Sequence, residues 1–294
     1  VLLGLVVEEC RKLGLTTILN GFGISLGDGI IGLQALYAAR AVGAITGDVV
    51  LARTEPPAKP LVPQLYTLAR DFAEAVPMAA APSTGRLIDI RDFAFDPLFA
   101  RLPMIDFFLT RLGLWPDSVP GTLKRNVWLA ARARPLPPPP LPPGYVLVCP
   151  KASIPLRDMP PAVHEALLAR LAVRGAGPVL TQGPAFAGAM AAPDCTTLQE
   201  LCALVAGARL VISTDTAMVH LADAFAVPCL AVLTTHRPEL RIRDYPLCRP
   251  VHLPIAGLPE NIEFVRSEAD LVAARAAWFP DGPGLAWLDH ALDQ

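Results

Sequence analysis

Short apolar runs alternate along this chain with longer stretches of mixed character. Residues 16–20, 48–52 and 87–90 read as strands, and 30–42 and 64–74 have helical spacing, with Ile30, Ile31, Leu33, Leu36 and Tyr37 on one side of the first. Residues 1–13 fit an amphipathic helix, and 103–132 is helical and mildly basic, with Lys124, Arg125 and Arg132. After a proline-rich stretch the alternation restarts. Strands are expected at 145–149, 178–181, 210–213 and 229–233, and helices at 161–174, 198–206 and 216–226. A last helix, 267–278, opens on Ser267, a residue type that caps helices. Strands apolar throughout suit a sheet covered on both faces, and their alternation with helices implies parallel pairing.

The stretch 134–144, RPLPPPPLPPG, can be neither a helix nor a central strand. It reads as a stiff, extended spacer between two domains, 1–133 and 145–294. The expected fold is α/β, with two Rossmann-like halves whose parallel sheets face a central cleft. In such sheets ligands bind beyond the carboxyl ends of the strands.

Composition narrows the function. With 53% hydrophobic residues and a net charge of -2, the chain is neither disordered nor a general nucleic-acid binder. Six cysteines stand apart with no Cys-x-x-Cys pair, so a reducing cytoplasm is expected rather than a disulfide framework. The apolar opening Val1–Val7 gives way at once to Glu8, Glu9, Arg11 and Lys12, too short a run to span a bilayer; at most peripheral membrane contact is expected. His164, His220, His236, His252 and His290 show no metal-ligand spacing, and neither a metal nor a cofactor is expected.

Two segments could carry chemistry. The first is the glycine-rich turn 21–29. Gly21, Gly23 and Gly27 do not have the G-x-G-x-x-G spacing of dinucleotide binders, and the second strand ends on Ala52-Arg53 instead of a carboxylate. A minor NADP reading would use Arg53. Asp28, flanked by Gly27 and Gly29, is the one carboxylate of the turn. It reads as the N-cap of the helix beginning at Ile30, or as a general base, and the two roles are compatible.

The second segment is 210–228, LVISTDTAMVHLADAFAVP. A buried strand ends at Thr214-Asp215 and a helix begins at Thr216, where unpaired backbone N–H groups at Thr216, Ala217 and Met218 suit phosphate. His220, four residues on, shares the Thr216 face. The plainer reading is a capped helix carrying a packed polar histidine. Arg237, Arg241, Arg243 and Arg249, interspersed with Glu239 and Asp244, read as a solvated loop before a phosphate-binding one.

Residues 196–233 resemble the donor-binding segment of the ADP-heptose:lipopolysaccharide heptosyltransferases, glycosyltransferase family 9. That family carries Asp-Ser/Thr-Gly/Ala-x-x-His before an alanine-rich helix and a Val-Pro strand; Asp215, Thr216, Ala217 and His220 match it. The stretch ISLGDGIIGLQAL is similar to the family's Gly-Asp loop, which puts its proposed catalytic aspartate on Asp28. The segment CPKASIPLRDMP, containing Ser153, resembles the one in which a lysine before Trp-Pro contacts donor phosphate. Arg157 holds the lysine position, with Met159-Pro160 for Trp-Pro.

The resemblance implies a GT-B architecture and metal-free inverting transfer from a nucleotide-diphosphate sugar, ADP-linked, to a bacterial glycan or glycolipid. It implies donor contacts from Ser153, Arg157, Asp215, Thr216, Ala217, Met218 and His220, and a place in the cytoplasm or at the periphery of the inner membrane. Two alternatives stand beside it. One is a Rossmann oxidoreductase. The other is a non-catalytic binder of nucleotide-sugar or glycan, motivated by Leu233–His236 where the family has Phe-Gly-Pro-Thr and by 181–190, which lacks a carboxylate for the donor ribose.

Overall fold

The structure, a computed structural model, describes residues 14–54, 59–133, 141–262 and 264–293. The helix expected at 1–13, Cys10 and most of the proline-rich spacer lie outside the described residues. The chain divides into two compact units, residues 1–134 with 196–198, and residues 135–195 with 199–294.

The first unit runs β1 (Thr16–Leu19), α1 (Leu26–Ala41), β2 (Val49–Arg53), α2 (Leu61–Leu68), β3 (Glu74–Pro77), β4 (Arg86–Asp89), α3 (Met104–Arg111) and α4 (Val127–Arg132). Its sheet has the order β3-β2-β1-β4, parallel throughout, with Ile18 of β1 level with Leu51 and Ile88. Helix α1 packs against α2, α3 and α4, which is why Gly29 to Leu36 are buried without a break. Several polar groups taken into this core are paired. Buried Gln34 donates to the Leu123 carbonyl at 2.6 Å and accepts from the Trp128 N–H at 3.2 Å. The Trp128 indole donates to the Ile30 carbonyl at 3.1 Å, and Lys124 meets Asp106 at 2.8 Å with both side chains buried.

Three expectations are corrected in this unit. Helix α1 starts at Leu26, ahead of Ile30, because Ser25 is extended and its hydroxyl accepts from the Asp28 N–H at 3.1 Å. Ser25 is therefore the cap, and Asp28 lies inside the first turn. The helix expected at 64–74 is α2, which ends at Leu68; residues 74–77 instead form the edge strand β3. The stretch 103–132 is not one helix but α3 and α4 separated by short 3-10 turns.

The second unit runs β5 (Val146–Cys149), α5 (Pro161–Val173), β6 (Val179–Thr181), β7 (Met190–Ala191), α6 (Leu198–Ala206), β8 (Leu210–Thr214), α7 (Ala217–Ala224), β9 (Cys229–Leu233), α8 (Pro238–Arg241), β10 (Cys248–His252), α9 (Glu268–Ala277) and α10 (Ala286–Asp293). The sheet order is β10-β9-β8-β5-β6-β7, again parallel throughout. Counted from β5, this is the doubly wound order 3-2-1-4-5-6. The first unit has the same winding over its four strands. Ser267 caps α9 as its sequence position implies, accepting from the Asp270 N–H. Cys149, Cys195, Cys202, Cys229 and Cys248 are free thiols.

Candidate functional site

In both units the direction of winding reverses beside the first strand, and the loops leaving the two strands at that reversal define the ligand side. In the first unit these are the loops after β1 and β4. The β1 loop turns through a run of left-handed backbone at Asn20, Gly21, Phe22 and Gly23, with φ of 70, 30, 68 and 81°. Buried Arg53 holds it from beneath, donating from Nη1 to the carbonyls of Gly21 at 2.9 Å and Gly23 at 3.2 Å. The guanidinium lies 3.3 Å from the Tyr66 ring centroid, and the Tyr66 hydroxyl donates to the Gly21 carbonyl at 2.6 Å. This corrects the NADP reading of Arg53: at 2% exposure the guanidinium shapes the loop and is not presented to a ribose phosphate.

Asp28 is half-buried in the first turn of α1, with a carboxylate oxygen 3.3 Å from the place a Cβ on Gly23 would take. A side chain at 23 would crowd it. Gly27 is half-buried in the same turn, whereas Gly29 is a packing position, because a Cβ there would stand 2.8 Å from Leu65 and 3.0 Å from the Tyr66 hydroxyl. The first turn of a helix favours the charged form of a carboxylate placed there.

In the second unit the strand order puts the loops after β5, β8 and β9 side by side, and each contributes to one polar cluster. Arg157, from the β5 loop, brings Nη1 to 3.6 Å from Asp215 Oδ2 and donates from Nε to the Thr235 hydroxyl at 2.9 Å. His236 Nδ1 donates to Asp215 Oδ2 at 2.8 Å and lies 3.0 Å from Thr235 Oγ1. The Thr234 hydroxyl donates to the Leu156 carbonyl at 3.1 Å, tying the β9 loop to the β5 loop. Asp215 is 5% exposed. Burial by itself would raise its carboxyl, but the Arg157 guanidinium and the His236 hydrogen bond outweigh burial and hold it well below the usual carboxylate range. The carboxylate in turn fixes the Arg157 guanidinium, whose side chain is 11% exposed, at the carboxyl edge of the sheet.

Helix α7 starts beside this cluster. Thr216 is its N-cap, and its hydroxyl accepts from the Met218 N–H at 3.1 Å and lies 3.2 Å from Ser213 Oγ. The Met218 N–H is thus already occupied, a correction to the expectation that all three N–H groups at 216–218 are open to a ligand. Ala217 begins the helix proper. Ser153 is exposed in the β5 loop, which Asp158 braces by accepting from the Ala152 N–H at 2.8 Å and Lys151 Nζ at 2.9 Å. His220 is set deeper, with Nδ1 2.9 Å from the Tyr245 hydroxyl, and burial pushes it down to about 4, so it is neutral at pH 7. Arg241 is buried, not solvated as its run of charges implies. Among the described residues no group of three or more His, Cys, Asp or Glu could hold a metal ion.

Arg157, Asp215, Thr216 and His220, chosen from sequence, all belong to the β5–β8 side of this unit. Thr235 and His236 did not stand out as site residues. Their one local signal was a polar run, 234–236, directly after an apolar strand in a parallel sheet.

Residues 127–247, spanning β5 to β9 and this whole cluster, match the profile of glycosyltransferase family 9 (heptosyltransferase). The chain is similar to that family. Among solved structures, the E. coli heptosyltransferase WaaC with ADP-2-deoxy-2-fluoro heptose superposes with a TM-score of 0.54 at 17% identity, over 89% of this chain and 97% of that one. E. coli ADP-heptose lps heptosyltransferase II gives 0.54 at 14%, over 95% and 99%. The iron-containing dodecameric glycosyltransferase TibC from enterotoxigenic E. coli H10407 gives 0.60 at 15%, over 95% and 75%. No curated protein sequence matches the chain. These likenesses establish a GT-B-like α/β fold with two parallel sheets.

Proposed function

We propose that this protein is an inverting glycosyltransferase. It moves a heptose-like sugar from a nucleotide-diphosphate donor, ADP-linked, to a hydroxyl of a glycan or glycolipid. The observation that carries the reading is the Arg157–Asp215–His236 cluster at the carboxyl edge of β5, β8 and β9, inside the segment matched to family 9. Solved structures of WaaC hold ADP and an ADP-heptose analogue, and one of TibC holds ADP-D-beta-D-heptose.

The second unit supplies the donor chemistry. Arg157 is fixed by Asp215 and Thr235 and meets the negative charge that grows on the diphosphate as it leaves. The start of α7 adds the positive end of a helix and the N–H of Ala217. His236, by donating to Asp215, orients the carboxylate that holds Arg157. His220 supports α7 from below through Tyr245.

The first unit supplies the base. Asp28 takes the proton from the acceptor hydroxyl as its oxygen attacks the anomeric carbon. The glycosidic bond forms, the anomeric carbon–phosphate bond breaks on the opposite side, and the configuration inverts. The charges are met by side chains and backbone, so the step needs no metal. The reading places the enzyme in bacterial lipopolysaccharide or glycan assembly, in the cytoplasm or against the inner membrane.

The test is incubation of the full chain with ADP-, UDP-, GDP- and dTDP-linked sugars and a bacterial glycolipid extract, with mass-spectrometric detection of released nucleotide. Release should be greatest with an ADP-sugar. Asp28→Asn should abolish transfer with ADP affinity unchanged within a few-fold, and near-normal turnover of the folded variant removes Asp28 as base. Arg157→Ala should weaken ADP by about 10–150-fold, the loss of a charged hydrogen bond, and leave adenosine nearly unaffected. Equal losses for both ligands refute the diphosphate placement. Nucleotide-sugar binding without any turnover would favour a non-catalytic relative.

A further inference from the structure

The loop after β4 holds a cavity of about 430 Å³, within the roughly 300–1,000 Å³ of ordinary ligand pockets. It lies at the winding reversal of the first unit, beside the Asp28 loop. Asn20, in the β1 loop, donates from Nδ2 to the Arg91 carbonyl at 3.1 Å. The Phe93 ring comes within 3.0 Å of the place a Cβ on Gly23 would take. The hollow and the candidate base therefore share a wall.

Two features of the lining define its chemistry. The first is aromatic. Phe93, Phe99, Phe107 and Phe108 cluster in the core, four pairs edge to face at centroid separations of 5.0 to 5.5 Å and Phe93 tilted against Phe107 at 6.3 Å. Phe95, two residues from Phe93, takes no part in that cluster and is 75% exposed on the cavity lining. Its face is open to an apolar surface.

The second is charge. Arg91 forks onto Asp89, with contacts of 3.0, 3.1 and 2.6 Å, and Arg111 pairs with Asp96. Both guanidinium groups on the lining are thus matched by carboxylates. Asp92 remains as the third carboxylate, exposed, and its side chain does not cap the turn it precedes. The hollow is anion-poor territory for a ligand: it carries a surplus negative charge and acceptor oxygens beside an aromatic face.

We propose that this hollow is an acceptor subsite for a neutral, polyhydroxylated sugar ring, with Phe95 as the platform under the ring's C–H face and Asp92 as acceptor for its hydroxyls. The proposal rests on the glycosyl-transfer reading above and adds a specificity to it. An anionic sugar, such as a uronic acid or a sugar phosphate, would meet Asp92 and would have to part Arg91 or Arg111 from its carboxylate.

Binding without donor separates this proposal from the transfer reading. Saturation-transfer NMR on the full chain would compare methyl glycosides of neutral hexoses and a heptose with methyl glucuronide. The neutral glycosides should give signals strongest at the ring C–H protons, and the glucuronide weaker ones. Phe95→Ala and the milder Phe95→Leu should both remove the signals, and Asp92→Asn should reduce them, with melting curves confirming folded variants. In the transfer assay the two Phe95 variants should raise acceptor KM by about tenfold with kcat little changed. No signal from the wild type, equal signals in the Phe95 variants, or preference for the glucuronide overturns the subsite. Neutral-glycoside binding that depends on Phe95, in a protein that turns over no nucleotide sugar, upholds the subsite and sinks the transferase reading; turnover with a Phe95-independent KM does the reverse.

Discussion

His220 makes the second unit acid-labile in a way that can be calculated. Its ring is buried, and burial lowers it from 6.5 to about 4, the nearby Asp215 charge only partly opposing. The folded state therefore holds the ring neutral, while the unfolded chain takes up a proton below about pH 6.5. Stability from this group is complete above pH 6.5 and is lost as pH falls toward about 4, with no further loss below. For one such group the linkage between pH 7.5 and 5.5 amounts to about 1 kcal/mol, or about 2–4 °C in Tm for a unit of this size. The perturbation is His220→Gln, which keeps a polar partner for the Tyr245 hydroxyl and cannot titrate. Urea unfolding of both proteins at the two pH values is the assay. The variant should be less stable at pH 7.5, yet lose about 1 kcal/mol less than the wild type on acidification. His164 is also pushed down, by burial and then by Lys151, and titrates in both proteins, so the difference isolates His220. An identical pH drop in the two proteins refutes the reasoning.

Lys124→Met leaves Asp106 buried without its cation and should cost about 3–5 kcal/mol in urea unfolding. Adding Asp106→Leu should recover most of that loss, and a double variant as unstable as the single one would show that the charges hold more than each other. Gly32→Ala places a methyl 2.1 Å from the Phe22 ring in a close-packed helix face and should lower stability by about 1–3 kcal/mol; an unchanged melting temperature would mean the ring has room to move. The Cys202 thiol is buried and raised to about 12, so at pH 8 iodoacetamide should label it only after urea unfolds the chain.

The architecture was legible because its signals are local. Apolar runs such as 146–149 and 229–233, four and five residues long, fit strands buried on both faces, and the helices between them imply parallel pairing. Thr216 and Ser267 announce helix starts because a side-chain oxygen reaches an N–H two or three residues on, a contact the neighbouring sequence alone determines. Ser25 carries the same signal. In the sequence Asp28 competes for that role, and only the backbone angles at Ser25 decide between them.

The edge strands β3 and β7 gave no such signal. They are short and largely exposed, β3 ends on Pro77, and only the neighbouring strand defines them. Arg53 looks like a ligand contact until its burial beneath Gly21 and Gly23 is seen, because the sequence records a charge and not its partner. The polar cluster shows the limit most clearly. Arg157, Asp215 and His236 are far apart in the chain and meet because β5, β8 and β9 are neighbours in the sheet. The alternation of strands and helices establishes that a parallel sheet forms. Which strands lie side by side depends on how the crossovers wind and pack, and that is a property of the whole fold.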